Sequence, residues 1–303
     1  MTTHTTALFP IALPLPDADG VYSFADDLAR AHASHQALLD AAACDGDTML
    51  VDVTAPYSGA RYRVARRPGT GRPLLVLEPH HDDLVLSAAG TLLAQGRPLV
   101  VITVFTKSAS AHRTVQATYP GEQEISALRA AEAHQSLLPF AHRHIQLGHA
   151  DARPPYRAYD PALLDTVTTA LEREIAMAGD GELIAPAAVT RHPDHLLVHE
   201  AARRLGCTRF WDDTAFWTTY GLGVDDRHLF HLRTGNTLAE ELVDITDVVL
   251  DKLTLLHLHG SQLQPARAMY RPIRYAWTTA APLHAETGDP ARFAERFYRL
   301  ETS

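Results

Sequence analysis

Apolar residues recur along this chain first with the period of a helix and then in short unbroken runs. Residues 22–45, YSFADDLARAHASHQALLDAAACD, space them three and four apart and predict a helix. TMLVDVTAPYSGARYRVARR follows, and reads as two strands around a Pro-Tyr-Ser-Gly turn. Proline and glycine crowd RPGTGRP, 67–73. That stretch is the expected boundary between an N-terminal extension (residues 1–70) and a main domain (residues 71–303).

Beyond the boundary, strands and helices alternate. The pattern predicts a strand at 73–78, a helix at 83–96 that ends on a glycine, and a strand at 98–105. Continuous apolarity in PLVVITVF is what a strand covered on both faces requires. A helix at 121–138, a strand at 143–148, a helix at 161–179 and a strand at 182–189 follow, then a helix from about Asp194. RFWDD and HLFHLR are shorter strand candidates, and a long helix is expected within 237–263. Such alternation implies βαβ units and a Rossmann-like α/β three-layer sandwich with a mostly parallel sheet. In open sheets of this kind, ligands sit beyond the carboxyl ends of the strands.

Composition narrows the function. The 303 residues are 46% hydrophobic and 21% charged, an ordinary globular balance. A formal charge of −9, with lysine only at Lys107 and Lys252, argues against nucleic acid as partner, since phosphate neutralisation needs clustered cations. Cys44 and Cys207 make no disulfide framework and suit a reducing compartment. The N-terminus lacks the positive start of a signal peptide, and no apolar run reaches the roughly 18 residues of a membrane span. A cytoplasmic protein without a membrane span is expected.

Two strand ends carry unusual chemistry. LLVLEPHHDDLVLSAAG places two histidines and two aspartates between strand and helix, and RHPDH stands at the end of a later strand. The first turn has no glycine for close phosphate approach, and its carboxylates would repel one, which argues against a nucleotide site. Imidazoles and carboxylates converging on one point suit Zn²⁺ or another divalent ion. His80 and Asp83 are three apart and can face one way, as can His192 and His195. Two ligands from one turn and one from the other leave a fourth position for water, the pattern of a catalytic zinc. Asp82 is then the candidate general base. His192, outside the shell, would stabilise an oxyanion or protonate a leaving amine. A plainer role competes: Asp82, Asp83 or Asp194 would cap the helix that each precedes.

At these residues the chain resembles the LmbE-like, or PIG-L, family of metal-dependent N-acetylglucosaminyl deacetylases. The family's His-Pro-Asp-Asp is matched by His80-His81-Asp82-Asp83, and its His-Pro-Asp-His by His192-Pro193-Asp194-His195. The resemblance covers about residues 73–263, including VDIT (243–246) and HGSQ (259–262), and leaves residues 1–70 unexplained. It implies zinc on His80, Asp83 and His195, Asp82 as base and His192 as electrostatic or acid partner. It also implies substrate contacts from Ser87, Arg129 and Asp151, although Arg129 and Glu132 are spaced to pair with each other on a helix. There are departures. His81 replaces the family's proline, so the ligand is His80 or, in a shifted register, His81. Leu84, Thr190 and the FTKSAS segment also differ from the family pattern.

The expected activity is zinc-dependent hydrolysis of an N-acetyl or similar acyl group from a small-molecule amino sugar or glycoconjugate. Two alternatives stand beside it: a metal hydrolase of a non-sugar amide or ester, and a Rossmann-like protein that binds metal without turnover. SQLQPARAMYRPIRYAW (261–277) either borders the substrate pocket or packs as a C-terminal tail. The first 70 residues either cover a sheet edge or join copies of the chain into a homo-oligomer.

Overall fold

The computed structural model describes residues 21–45, 49–153, 160–189, 192–213, 238–263 and 270–300. The expected HLFHLR strand lies outside them. Among the described residues, seven strands form one sheet in the order β5-β4-β3-β6-β7-β9-β8. They are β3 (Leu74–Glu78), β4 (Leu99–Lys107), β5 (His142–Ala150), β6 (Glu182–Pro186), β7 (Arg209–Trp211), β8 (Leu238–Asp244) and β9 (Ala294–Leu300). The first five are mutually parallel; β9 runs antiparallel to β7 and β8.

Side chains alternate across a strand, so each face of the sheet builds its own core. Leu74, Val76, Leu99, Val101 and Ile184 join one cluster, with Leu84, Leu86 and Leu92 of α2 (Asp83–Ser87) and α3 (Ala89–Gln95) and Leu253 of α8 (Val249–Leu258). Leu77, Ile102, Val104 and Ala185 join the other. Leu164, Val167 and Leu171 of α6 (Pro161–Ala178) and Leu197, Val198 and Ala201 of α7 (Pro193–Arg204) pack there. Helices on both faces of a mostly parallel sheet make the expected three-layer sandwich.

The N-terminal segment contributes α1 (Val21–Asp45) and a two-stranded antiparallel hairpin, β1 (Leu50–Thr54) and β2 (Arg61–Ala65). Phe24, Leu28, Val53 and Val64 enter the first cluster, so this segment shares one core with the sheet and its helices. His32 Nε2 pairs with Thr254 Oγ1 at 2.8 Å, and His35 Nε2 with Asp251 Oδ1 at 2.9 Å, fixing α1 to α8.

Three elements differ from expectation. The helix expected over 83–96 is broken at Ala88 (φ −131°, ψ −2°). An unbroken helix would carry a bond from Gly90 N–H to Leu86 C=O. Here Lys252 Nζ donates to Leu86 O at 3.0 Å, and Glu295 Oε1 accepts from Gly90 N at 2.9 Å. Lys252 and Glu295, themselves paired at 2.5 Å, satisfy both freed groups. α3 still ends on Gly96, whose φ of 59° is the left-handed cap that glycine takes at no steric cost.

The long helix expected within 237–263 is confined to α8, because LAEELVD pairs as β8 along the whole of β9, from Leu238↔Leu300 to Asp244↔Ala294. Pairing with β9 overrides the helix preference of Ala, Glu and Leu, which is weak beside tertiary contacts. Finally, β6 stops at Pro186 and not at Val189, and Ala188 takes a φ of 55°. It is the one non-glycine residue with positive φ among those described, and such strain gathers where a chain is steered towards a functional site.

Candidate metal centre and active site

From β3 the chain winds outward through β4 to β5, then returns to β6 on the other side of β3. The strand order reverses between β3 and β6, and the crevice at their carboxyl ends is where such sheets bind ligands. Residues 80–83 leave β3 and residues 192–195 leave β6, so both clusters meet in that crevice.

His80, Asp83 and His195 are buried, and each offers a ligand atom within 4.8 Å of the other two. Asp83 Oδ2 lies 3.1 Å from His80 Nδ1 and 3.3 Å from His195 Nε2. A second grouping, His80, His192 and Asp194, shares His80. His81 belongs to neither: it is 2% exposed, and its ring sits edge-on to His144 with centroids 6.1 Å apart.

Asp82 is held separately. Arg129, on α5 (Glu122–Leu137), donates from Nη2 to Asp82 Oδ1 at 2.7 Å and from Nη1 to Ser108 Oγ at 2.8 Å. Ser108 Oγ donates in turn to Asp151 Oδ2. The helix-capping role therefore does not fall to Asp82, which makes no cap bond. Glu78 at the end of β3 accepts from Leu84 N at 3.1 Å in its place, and Asp83 Oδ2 accepts from His80 N at 2.8 Å. Asp82 Oδ2 is left buried and without a hydrogen-bond partner. Asp194 is no cap either. His192 caps α7, accepting from Asp194 N, while the Asp194 carboxylate accepts from Ala152 N at 2.7 Å and meets His80 Nε2 at 3.0 Å.

Electrostatics separate these histidines. Burial opposes a charge on His80, yet Asp83 and Asp194 outweigh it and lift the ring to about 9. His195, likewise buried, is held well above its ordinary value by Asp83 and Asp213. Asp83, despite burial, is held well below the carboxylate range by His195 and His80. Burial, then the neighbouring His80 and His195, push His192 down to about 3. The cluster thus collects positive charge between carboxylates, which is what a divalent ion would supply. Donor set, charge and the unpartnered Asp82 oxygen all fit a catalytic cation.

The sequence-predicted residues are distributed as follows. His80, Asp83 and His195 form one grouping, with His192 beside it in the other; Asp82, Arg129 and Asp151 form the hydrogen-bonded chain through Ser108. Arg129 takes Asp82 and not Glu132 as its salt-bridge partner. Ser87, one turn along α2 from Asp83, lines a cavity of about 10 Å³, room for one water, with Lys252, Tyr275 and Glu295. In the 261–277 segment, Tyr275 donates to Asp212 Oδ2 at 2.8 Å, and residues 264–269 lie outside the described residues.

Sequence reasoning missed Ser108, Asp213 and the bonding of Asp194. Asp213 Oδ2 accepts from His195 Nδ1 at 2.7 Å and Oδ1 from Val189 N at 2.8 Å, which fixes the tautomer that turns Nε2 towards Asp83. The pair of aspartates closing RFWDD was its only signal.

Fold and site together fit a hydrolase: a three-layer α/β sandwich with a buried His/Asp grouping able to hold a divalent ion and, beside it, a carboxylate held by Arg129. Comparison with known proteins gives the same class. The model of the PIG-L family, described as GlcNAc-PI de-N-acetylase, matches residues 75–205. The 2'-N-acetylparomamine deacetylase of Streptomyces fradiae is 34% identical over 259 residues, covering 75% of this chain and 89% of that protein. Two solved structures share the fold. The deacetylase of the antimicrobial A40926 pseudoaglycone has a TM-score of 0.56 at 23% identity, over 77% of this chain and 99% of its own. The zinc-inhibited form of teicoplanin deacetylase has 0.56 at 17%, over 76% and 98%. The chain belongs to the PIG-L family and is an N-deacetylase.

Proposed function

We propose that this protein is a zinc-dependent deacetylase that removes an N-acetyl group from an amino sugar, most closely one of the aminoglycoside kind. The observation that carries the reading is the His80–Asp83–His195 grouping beside Asp82, a buried carboxylate with one oxygen held by Arg129 and the other unpartnered. The 34% identity to a 2'-N-acetylparomamine deacetylase supports the substrate class.

His80, Asp83 and His195 would hold the ion. When bound, it supplies Lewis acidity to the attacking water and the acyl carbonyl. Asp82 Oδ2 accepts the proton of that water, while Arg129 keeps Oδ1 in place. His192 lies beside the cluster, its ring 5.1 Å from that of His80 and 5.3 Å from that of His195, in a position to steady the oxyanion as a neutral N–H donor, and the proton that Asp82 takes up goes on to the departing amine. Arg129, Ser108 and Asp151 line the side from which Asp82 is held, and there they meet the substrate.

The test is a panel of 2'-N-acetylparomamine, N-acetylglucosamine and N-acetyl amino acids, with enzyme stripped by a chelator and reloaded with zinc. Acetate release from the sugars alone, restored by zinc, is the expected outcome. Cleavage of the amino acids alone, or full activity after stripping, would overturn the reading.

A further inference from the structure

The pair that breaks the helix at Ala88 has no part in the chemistry above, yet it is costly to keep. Lys252 is 1% exposed and Glu295 4%, so two opposite charges are buried together. Desolvation offsets most of what such a pair gains by attraction, and apolar residues of the same volume often serve stability as well. An unbroken helix would also bond Gly90 N–H and Thr91 N–H to its own carbonyls. Here both turn to Glu295 instead, at 2.9 Å to Oε1 and 2.7 Å to Oε2. Gly90 admits that approach, since a Cβ there would stand 2.9 Å from Glu295 Oε1 and 2.7 Å from Ile245 Cδ1.

What the break frees is the direction of α2, and α2 leads out of the two acids of the site. Asp83 is its first residue, and Leu86 N donates to Asp82 O at 3.0 Å. Leu86 O accepts from Lys252 Nζ, also at 3.0 Å. A single residue, Leu86, therefore joins the ammonium of Lys252 to the backbone of Asp82. The cavity that Leu86, Ser87, Lys252 and Glu295 help to line holds about 10 Å³, so helix and ammonium have little room to shift.

The lysine is itself aimed by the N-terminal segment, which the family pattern leaves unexplained. Asp251, the residue before it, takes His35 Nε2 at 2.9 Å and the guanidinium of Arg67. Thr254, two residues after it, pairs with His32 Nε2 at 2.8 Å and accepts from Gln36 Nε2 at 3.1 Å. These bonds fix the rotation of α8 about its own axis, and with it the direction of Lys252.

We propose that Lys252 is a positioning residue for the metal turn. By holding Leu86 O it sets the axis of α2, so that Asp83 Oδ2 meets both His80 and His195 while Asp82 meets Arg129; Glu295 neutralises the ammonium and satisfies the broken helix. This rests on the His80–Asp83–His195 reading of the metal site.

The experiment measures zinc affinity by competition with a chelator, and stability of the metal-free protein by denaturant unfolding, in wild type, E295Q and K252M/E295Q. E295Q leaves a buried ammonium without its carboxylate but still on Leu86 O, so it should be the less stable variant. It should nevertheless keep most of the wild-type zinc affinity. K252M/E295Q buries no charge and should be the more stable of the two, while binding zinc about 10- to 100-fold more weakly than wild type. A pair that served stability alone would give the opposite order, with affinity following stability. Wild-type affinity in K252M/E295Q, or an equal loss in E295Q, would overturn the inference alone. Should the double variant fail to fold, E295Q decides: wild-type affinity at lowered stability supports the inference, and a loss of about tenfold or more overturns it. No zinc bound by wild type would overturn the metal site and this inference with it.

Discussion

His80 and His195 sit among carboxylates at the ends of β3 and β6, whereas His32 and His257 stack face to face between α1 and α8, with ring centroids 4.8 Å apart. All four are largely or fully buried, and burial pushes each of them towards the neutral form. At the strand ends, Asp83, Asp194 and Asp213 overcome that push and leave His80 and His195 raised. Between the helices no carboxylate overcomes it: burial, then His257 and His35, lower His32 to about 3, and burial lowers His257 to about 4. Depth alone therefore does not make a cation site. The company of carboxylates does, and the same residue type away from them becomes ordinary core.

The largest effect in this comparison should come from Asp83, which faces both imidazoles of the cage. Asp83→Ala is expected to take bound zinc from about one per chain to none by elemental analysis, and activity with it. A mutant with full zinc content would show that the other grouping, His80 with His192 and Asp194, holds the ion instead. Asp82→Asn keeps the cage and removes the base, so kcat should fall by about 10²- to 10⁴-fold at unchanged zinc content. Loss of zinc in that variant would break the separation between cage and base.

Asp213→Asn leaves every ligand in place but loosens the His195 tautomer. Zinc affinity, measured by competition with a chelator, should weaken by about 10- to 100-fold.

The smallest effects are in stability, and their signs oppose each other. His32 and His257 bind protons more readily unfolded than folded, so their contribution is lost as pH falls from 6.5 towards 3 to 4. His80 behaves in reverse without metal: its contribution is complete below 6.5 and is lost as pH rises through about 9. Denaturant unfolding of metal-free protein should show both losses, each of at least about 3 kcal/mol over its range. His32→Phe should flatten the acid side only, and zinc should offset the loss on the alkaline side. An acid slope unchanged in His32→Phe would mean that His32 is already charged when folded.

The alternation of elements and the two His/Asp clusters were legible because both are local: a strand covered on two faces is an unbroken apolar run, and a metal turn keeps its ligands within four residues. The break at Ala88, the strand β8 and the partner of His195 were not. Each depends on a residue far along the chain: Glu295 for the break, residues 294–300 for β8, and Asp213, 18 residues on, for His195. The choice between His80 and His81 was also open in the sequence, since adjacent residues differ only in which way the turn points them. In the structure His80 meets Asp83 and His195 while His81 turns to His144.

The residues alone, then, determined the α/β architecture, the two turns and the chemistry that their side chains can perform, because periodicity and functional groups are written position by position. Tertiary structure decided what each group experiences: that Asp82 is held by Arg129 and caps no helix, that Asp83 joins two imidazoles, and that His81 turns away to His144. Proton affinity and hydrogen bonding depend on distances of a few ångströms between residues far apart in the chain, and only the folded sheet brings those residues together.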